Sequence, residues 1–205
     1  MFISFEGIDF CGKSTQVKLL SDYLLNERGF KIQNIREPGG TQISEKIRTI
    51  LLDRKIFDMT IQAEILLFSA SRSQLVQQVI KPSLNEGTVV ISDRFHDSTT
   101  AYQGFGRGIS IEYIETINRF AIDGTLPDVT FILDIDVETA EKRRVQKNTV
   151  PDRMESAGKE FFTRVRDGYL TMARSDKRFV VIDGKMDVMN IHKEIINEVE
   201  NRFKL

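Results

Sequence analysis

The sequence predicts an α/β fold in which a five-stranded parallel sheet carries helices on both faces. Three observations lead there. Short β-branched runs alternate with amphipathic segments along the 205 residues, no long polar linker breaks the alternation, and a glycine-bearing loop joins the first strand to the first helix.

The elements follow in chain order. Residues 2–6 (FISFE) form a short apolar run closed by Gly7, as a buried strand should. Val17, Leu20 and Leu24 recur at helical spacing, and Gly29 suits a left-handed stop before a second strand over 30–35. Ile43, Ile47, Ile50 and Leu51 mark a second helix, and the apolar-rich stretch 60–84, free of glycine until Gly87, marks a third. TVVIS (88–92) and VTFILDI (129–135) are β-branched runs between turn signals, the pattern of strands covered on both faces. A weaker fifth run spans 179–182, and Val188, Ile191, Ile195, Val199 and Phe203 stripe a closing helix. GFGRG (104–108) reads as a flexible loop.

The bulk numbers fit one domain over 1–205. A chain of this size buries roughly 70% of its unfolded surface and needs no staples, and 40% apolar with 29% charged residues is ordinary for a globular protein. A formal charge of −1 excludes a global field drawing the chain to nucleic acid or an anionic membrane. Cys11 is the single cysteine, so no intrachain disulfide framework exists. The apolar runs fall short of a membrane span, and the Met-Phe-Ile-Ser-Phe-Glu start lacks a signal peptide's basic and apolar regions. The expectation is a cytoplasmic protein.

Gly7-Ile8-Asp9-Phe10-Cys11-Gly12-Lys13-Ser14 satisfies the phosphate-loop spacing G-x-x-x-x-G-K-[ST] between a strand and a helix. Such a loop turns backbone N–H groups around phosphate oxygens, Lys13 adds a point charge, and Ser14 is placed to ligate magnesium. Lys13 begins what reads as an exposed loop–helix junction. After the third strand, Asp93 brings a carboxylate to the sheet's carboxyl edge for the same metal, and Arg94 a charge for phosphate. An Asp-Arg pair after a strand is on its own an ordinary surface turn; the phosphate loop upstream gives it weight.

Other residues read more weakly. Arg36 ends the second strand before Pro38, Gly39 and Gly40, where the backbone can approach a ligand closely. Phe68 and Arg72 lie four apart, so one helix face presents a ring to stack on a base and a guanidinium for its carbonyl edge. An aromatic at that spacing is ordinarily core. His96 and His192 lack metal-site spacing and read as ordinary polar residues.

EGIDFCGKSTQ, REPGGT, FSASRSQL, SDRFHDSTTAYQG and PDVTFILDID occur in the order and spacing of bacterial thymidylate kinases, and the resemblance covers nearly the whole chain. It implies a nucleoside monophosphate kinase fold with a lid at about 143–158, ATP as phosphoryl donor, magnesium as cofactor, dTMP as acceptor and a homodimer. It assigns ATP to Gly7 through Ser14, Thr15 and Arg143. For dTMP it implies Asp9, Arg36, Arg48, Phe68, Arg72, Arg94, Ser98, Tyr102 and Gln103, although Arg48 also reads as a solvated helix arginine. Asp9 would reach the acceptor's 3′-hydroxyl and help place a clamp arginine, and Tyr102 would pack where a ribose 2′-hydroxyl would go. Catalytic duty falls on Asp9, Lys13, Arg94 and a lid arginine. Arg153 is the first candidate, with Arg143 and Lys147 behind it, and Arg107 is an accessory. This sequence departs from the pattern at Phe10 and Cys11, where most bacterial members carry small residues. Another class has a catalytic arginine at position 10, so an uncharged Phe10 shifts the burden to the lid. A kinase for another nucleotide, a phosphate-loop switch and a binding module without catalysis are the rival readings; a GTPase switch would need an N-K-x-D motif, which is absent.

Overall fold

The structure, a computed structural model, describes residues 1–148, 153–154 and 157–205. The middle of the expected lid, 149–152 with 155 and 156, lies outside the described residues. Five parallel strands, β1 (Phe2–Glu6), β2 (Ile32–Arg36), β3 (Val89–Asp93), β4 (Val129–Asp134) and β5 (Phe179–Asp183), stand in the order β2-β3-β1-β4-β5. β1 is central, so the loop that follows it opens at the middle of the carboxyl edge, where such sheets take ligands.

The helices are α1 (Lys13–Asn26), α2 (Gln42–Leu52), α3 (Ile61–Leu75), α4 (Lys81–Asn85), α5 (His96–Thr99), α6 (Ile111–Ile122), α7 (Val137–Gln146), α8 (Lys159–Ser175) and α9 (Val188–Phe203). The expected long helix over 60–84 is α3 and α4 joined through a π-helical turn, Val76–Ile80. β1 sends Ile3 and Phe5 into one apolar cluster with Leu20 and Leu24 of α1 and Ile195 and Val199 of α9. Phe2 enters a second cluster, with Leu75, Ile80, Val90 and Phe95. Burying each such side chain favours folding by about 1.5–3 kcal/mol, so the two clusters clamp the sheet between helical layers. β2 and β5 are the edge strands and are only partly buried, which is why the fifth run was weak in sequence.

The expectation of a flexible GFGRG loop is corrected here. Thr100–Gly106 is π-helical and packs on α8: a Cβ at Gly106 would lie 2.6 Å from the Phe161 ring. Glycine serves close contact at Gly104 and Gly106, while Gly108, past the π-helix, takes a left-handed φ of 78°. α6, which follows, is an element the sequence reading did not pick out.

Candidate active site

A cleft of about 370 Å³ opens along the carboxyl edge of β1, β2 and β3. Its wall combines phosphate-loop residues (Asp9, Phe10, Gly12, Lys13, Ser14, Thr15) with Asp93 and Arg94 after β3, Arg36 and Arg48, and Phe68, Arg72, Ser98, Tyr102 and Gln103. Gly7, Ile8, Cys11, Arg143 and Arg153 do not line it.

Steric demand shapes the loop. Gly7 adopts φ 130°, and a Cβ there would sit 2.6 Å from the Leu133 carbonyl oxygen, so only glycine fits between β1 and β4. Phe10 also takes a left-handed φ of 64°, a conformation that bulky residues reach at a cost on the order of 1–3 kcal/mol. Phe10 lines both the cleft and a second cavity shared with Ile8, Val137, Ala140 and Phe162, so position 10 borders open space that a large residue can use. Arg143 closes the loop from behind, donating to the carbonyls of Phe10, Cys11 and Gly184.

α1 starts without a side-chain cap, as α6 and α8 also do. Thr41, Thr60, Asp136 and Asp187 cap α2, α3, α7 and α9 with side-chain oxygens, whereas Gly12 precedes α1 and no side chain accepts from its first turn. Those N–H groups and the positive end of the helix dipole face the cleft, an arrangement built for an anion. Lys13 is not the exposed residue expected from sequence: it is 6% exposed, its Nζ donating to the Gly7 and Ile8 carbonyls at 3.1 and 3.0 Å. Ser14 Oγ donates to Asp93 Oδ2 at 2.5 Å. Two hard oxygen ligands at the mouth of a phosphate loop fit magnesium, which keeps waters and takes remaining ligands from phosphates.

Asp9 and Arg94 join across the cleft floor. Arg94 Nη2 lies 2.5 Å from Asp9 Oδ1, and the Tyr102 hydroxyl donates to Asp9 Oδ2 at 2.9 Å. Burial alone would raise the Asp9 carboxyl; Arg94, Lys13 and the Tyr102 hydrogen bond outweigh it and hold it below its usual range. Arg94 further donates to the Gly7 carbonyl, Ser98 Oγ and the Tyr169 hydroxyl, and stacks over the Tyr102 ring at 4.9 Å. The guanidinium is thereby fixed before any anion arrives.

Arg36 and Arg48 converge on one acceptor, the Pro38 carbonyl, at 3.0 and 2.8 Å, and Glu45 receives the rest of Arg36. This pairs two positive groups at the cleft wall. Phe68 is half-buried in the cleft, while Arg72 is 1% exposed. Arg72 donates to Glu37 Oε2, Asn118 Oδ1, Thr99 Oγ1 and the Phe95 carbonyl. Of its five N–H groups, one on Nη1 stays without a partner among the described residues. Burial pushes the Glu37 carboxyl up to about 7 against the pull of Arg72.

Gln103 and Arg153 meet at a residue the sequence reading passed over. Glu64, 2% exposed, accepts from Gln103 Nε2 at 2.9 Å and pairs with Arg153 Nη1 at 2.7 Å and Arg107 Nη2 at 3.5 Å. Arg153 also donates to the Leu51 carbonyl. The structure thus pairs this arginine with Glu64 and leaves it off the cleft wall, which Lys147 and Met154 do line.

Glu6 and Tyr169 were missed as well. Glu6 is fully buried at the end of β1 and accepts from the Phe95 N–H, Ser98 Oγ and the Tyr169 hydroxyl. Burial and nearby Asp97 raise its carboxyl despite Arg94 and these hydrogen bonds. A lone carboxylate closing the apolar run FISFE was the available signal; Tyr169, mid-helix in α8, gave none. His96 is buried and held neutral, its imidazole pushed down to about 4 chiefly by desolvation.

Known proteins share this sequence and fold over nearly the whole chain. The sequence profile of the thymidylate kinase family matches residues 5–195. Thymidylate kinase of Fervidobacterium nodosum is 50% identical over 96% of both chains, and that of Thermosipho africanus 48% identical over the whole of both. A crystal structure of thymidylate kinase from Ehrlichia chaffeensis superposes with a TM-score of 0.79 at 38% identity, covering 97% of this chain and 98% of that one. With the family profile spanning the sheet, the phosphate loop and the cleft, this chain belongs to the thymidylate kinase family.

Proposed function

We propose that the protein transfers the γ-phosphoryl group of ATP to dTMP, giving ADP and dTDP, with Mg2+ as cofactor. One observation carries the reading: a single cleft joins an uncapped phosphate-loop helix to a half-buried ring, a preset guanidinium and a carboxamide, the components of a phosphate site and a base site. Transfer is direct, because the acceptor phosphate is already anionic and needs no strong base; positioning and charge neutralisation supply the catalysis.

In this reading the loop N–H groups and Lys13 hold the donor phosphates, with Thr15 and Arg143 completing the ATP site. Ser14 and Asp93 would hold magnesium, which neutralises charge across the donor phosphates when bound. Arg36 and Arg48 receive the acceptor phosphate, and Arg94, oriented by Asp9 and Tyr102, faces the transferred group. Phe68, Arg72 and Gln103 take the base, with Ser98 and Tyr102 at the sugar. With Phe10 uncharged, the remaining positive charge comes from the lid segment. Lys147 is favoured by its place on the cleft wall, and Arg153 is the competitor held by Glu64.

α3 packs against both α2 and α6, and the three expose Ile43, Ile50, Leu66, Tyr113 and Phe120, the last 85% accessible. An apolar face of this kind supports pairing of two copies. No helix among the described residues is long and apolar enough to cross a membrane, and we place the enzyme in the cytoplasm with its nucleotides. Phosphorus NMR of the protein with ATP, Mg2+ and dTMP tests the reaction: dTDP and ADP signals should grow together, and ATP loss without dTDP would refute the assignment.

A further inference from the structure

Glu64 lies outside the cleft, yet it touches a residue that lines it. Its Oε2 is taken by Arg153 at 2.7 Å and Arg107 at 3.5 Å, which leaves Oε1 facing Gln103 Nε2 at 2.9 Å. A carboxylate between two guanidiniums has no proton to donate, so the Gln103 amide can meet it only with its N–H2 end. The side chain makes no other hydrogen bond among the described residues. Its direction is therefore dictated by Glu64, and the carbonyl Oε1 is the end left for a ligand.

We propose that Glu64 is a specificity-determining positioning residue: by fixing the Gln103 amide it makes the cleft present an acceptor to the base, selecting pyrimidines whose N3 carries a hydrogen. The inference rests on the pyrimidine reading of the cleft given above. Thymine and uracil offer an N3–H donor flanked by carbonyl oxygens, which suits an acceptor from Gln103 and a donor from Arg72, both of which line the cleft. Cytosine offers an N3 acceptor and an exocyclic amino donor, so acceptor would meet acceptor and donor would meet donor. A fixed amide cannot rotate to accommodate it. A neutral or displaced partner at position 64 frees that rotation, and the penalty against cytosine relaxes.

The test compares kcat/KM for dTMP, dUMP and dCMP, with ATP and Mg2+, in wild type, Glu64→Gln, Glu64→Asp, Gln103→Met and Glu64→Gln/Gln103→Met. Glu64→Asp keeps the negative charge between Arg107 and Arg153 while drawing the carboxylate back from Gln103, so it guards against a folding failure of Glu64→Gln. Both Glu64 variants should lower the dTMP:dCMP ratio at least tenfold while the dTMP:dUMP ratio stays within threefold, since those two bases share the N3–H. General structural damage would lower all three rates together and leave both ratios alone. In the Gln103→Met background, Glu64→Gln should change dTMP:dCMP by less than twofold. A dTMP:dCMP ratio within threefold of wild type in either Glu64 variant, or full additivity in the double variant, overturns the proposal. A wild-type protein that does not phosphorylate dTMP overturns the pyrimidine reading itself.

Discussion

Arg94 and Asp9 form an ion pair at 2.5 Å that ties the residue after β3 to the phosphate loop after β1. The two strands are neighbours in the sheet, so adjacent carboxyl ends deliver a cation and its orienting carboxylate to one point. Arg94 holds a left-handed φ of 72° to reach it, a backbone cost that its hydrogen bonds and the Tyr102 ring offset.

Asp9→Asn keeps the side chain's shape and removes the charge that orients Arg94. A charge-assisted hydrogen bond contributes about 1.5–3 kcal/mol, so kcat/KM for dTMP should fall roughly ten- to hundredfold. Steady-state kinetics beside thermal unfolding checks it; a folded variant within threefold of wild type would remove Asp9 from the mechanism.

Lys147 and Arg153 make separable predictions. Lys147→Ala should lower kcat at least about tenfold, a loss of roughly 1.4 kcal/mol of barrier stabilisation, with the dTMP KM changed far less. Arg153→Ala should act mainly on acceptor KM, because Glu64 holds its guanidinium. Single-turnover rates decide between them: a hundredfold loss confined to Arg153→Ala would return the catalytic charge to that residue.

How much of this was legible depended on what local sequence can encode. β1, β3 and β4 were read almost to the residue because burial on both faces makes them continuous apolar runs. The edge strands were less sharp. α6 was passed over although its signal was present: Ile114, Ile117, Ala121 and Ile122 recur at helical spacing, with Tyr113 and Phe120 exposed off that stripe. The phosphate loop, Asp93 and Arg94 announced themselves through spacing and position after strands. Glu64, Glu37 and Tyr169 did not, since their roles come from partners 35 to 163 positions away. Lys13 was misjudged as exposed for a similar reason: the helix start was visible, but not the fold-back of Nζ onto the loop carbonyls.

His96 gives a pH signature. Its folded value of about 4 lies below the ordinary 6.5, so above that range neither state is protonated and the residue is neutral toward stability. As pH falls from about 6.5 to 4 the unfolded chain binds the extra proton, and stability is lost by up to about 1.4 kcal/mol per pH unit. Asp97, Arg178 and Arg72 surround the ring and remain in a His96→Gln variant. Urea unfolding at pH 7 and pH 4 should show wild type losing roughly 3 kcal/mol more than His96→Gln; parallel losses would contradict the assignment.

Phe120→Glu should convert a dimer to a monomer without unfolding it, because the side chain is exposed and holds no core position. Sedimentation velocity of both proteins checks this. A wild-type monomer, or a Phe120→Glu dimer as tight as wild type, would remove the α2, α3 and α6 face from the account.

In the proposed mechanism one cleft couples a phosphate loop to a thymine-type acceptor site. The most direct test of that mechanism is ADP release with ATP and Mg2+, measured without acceptor and with dTMP, dUMP, dCMP, dAMP and dGMP, in wild type and Lys13→Met. Release should depend on acceptor, show its highest kcat/KM with dTMP, and fall by at least a hundredfold in a folded Lys13→Met variant. ADP release that is unchanged by any acceptor, or a purine monophosphate preferred over dTMP, would contradict the mechanism.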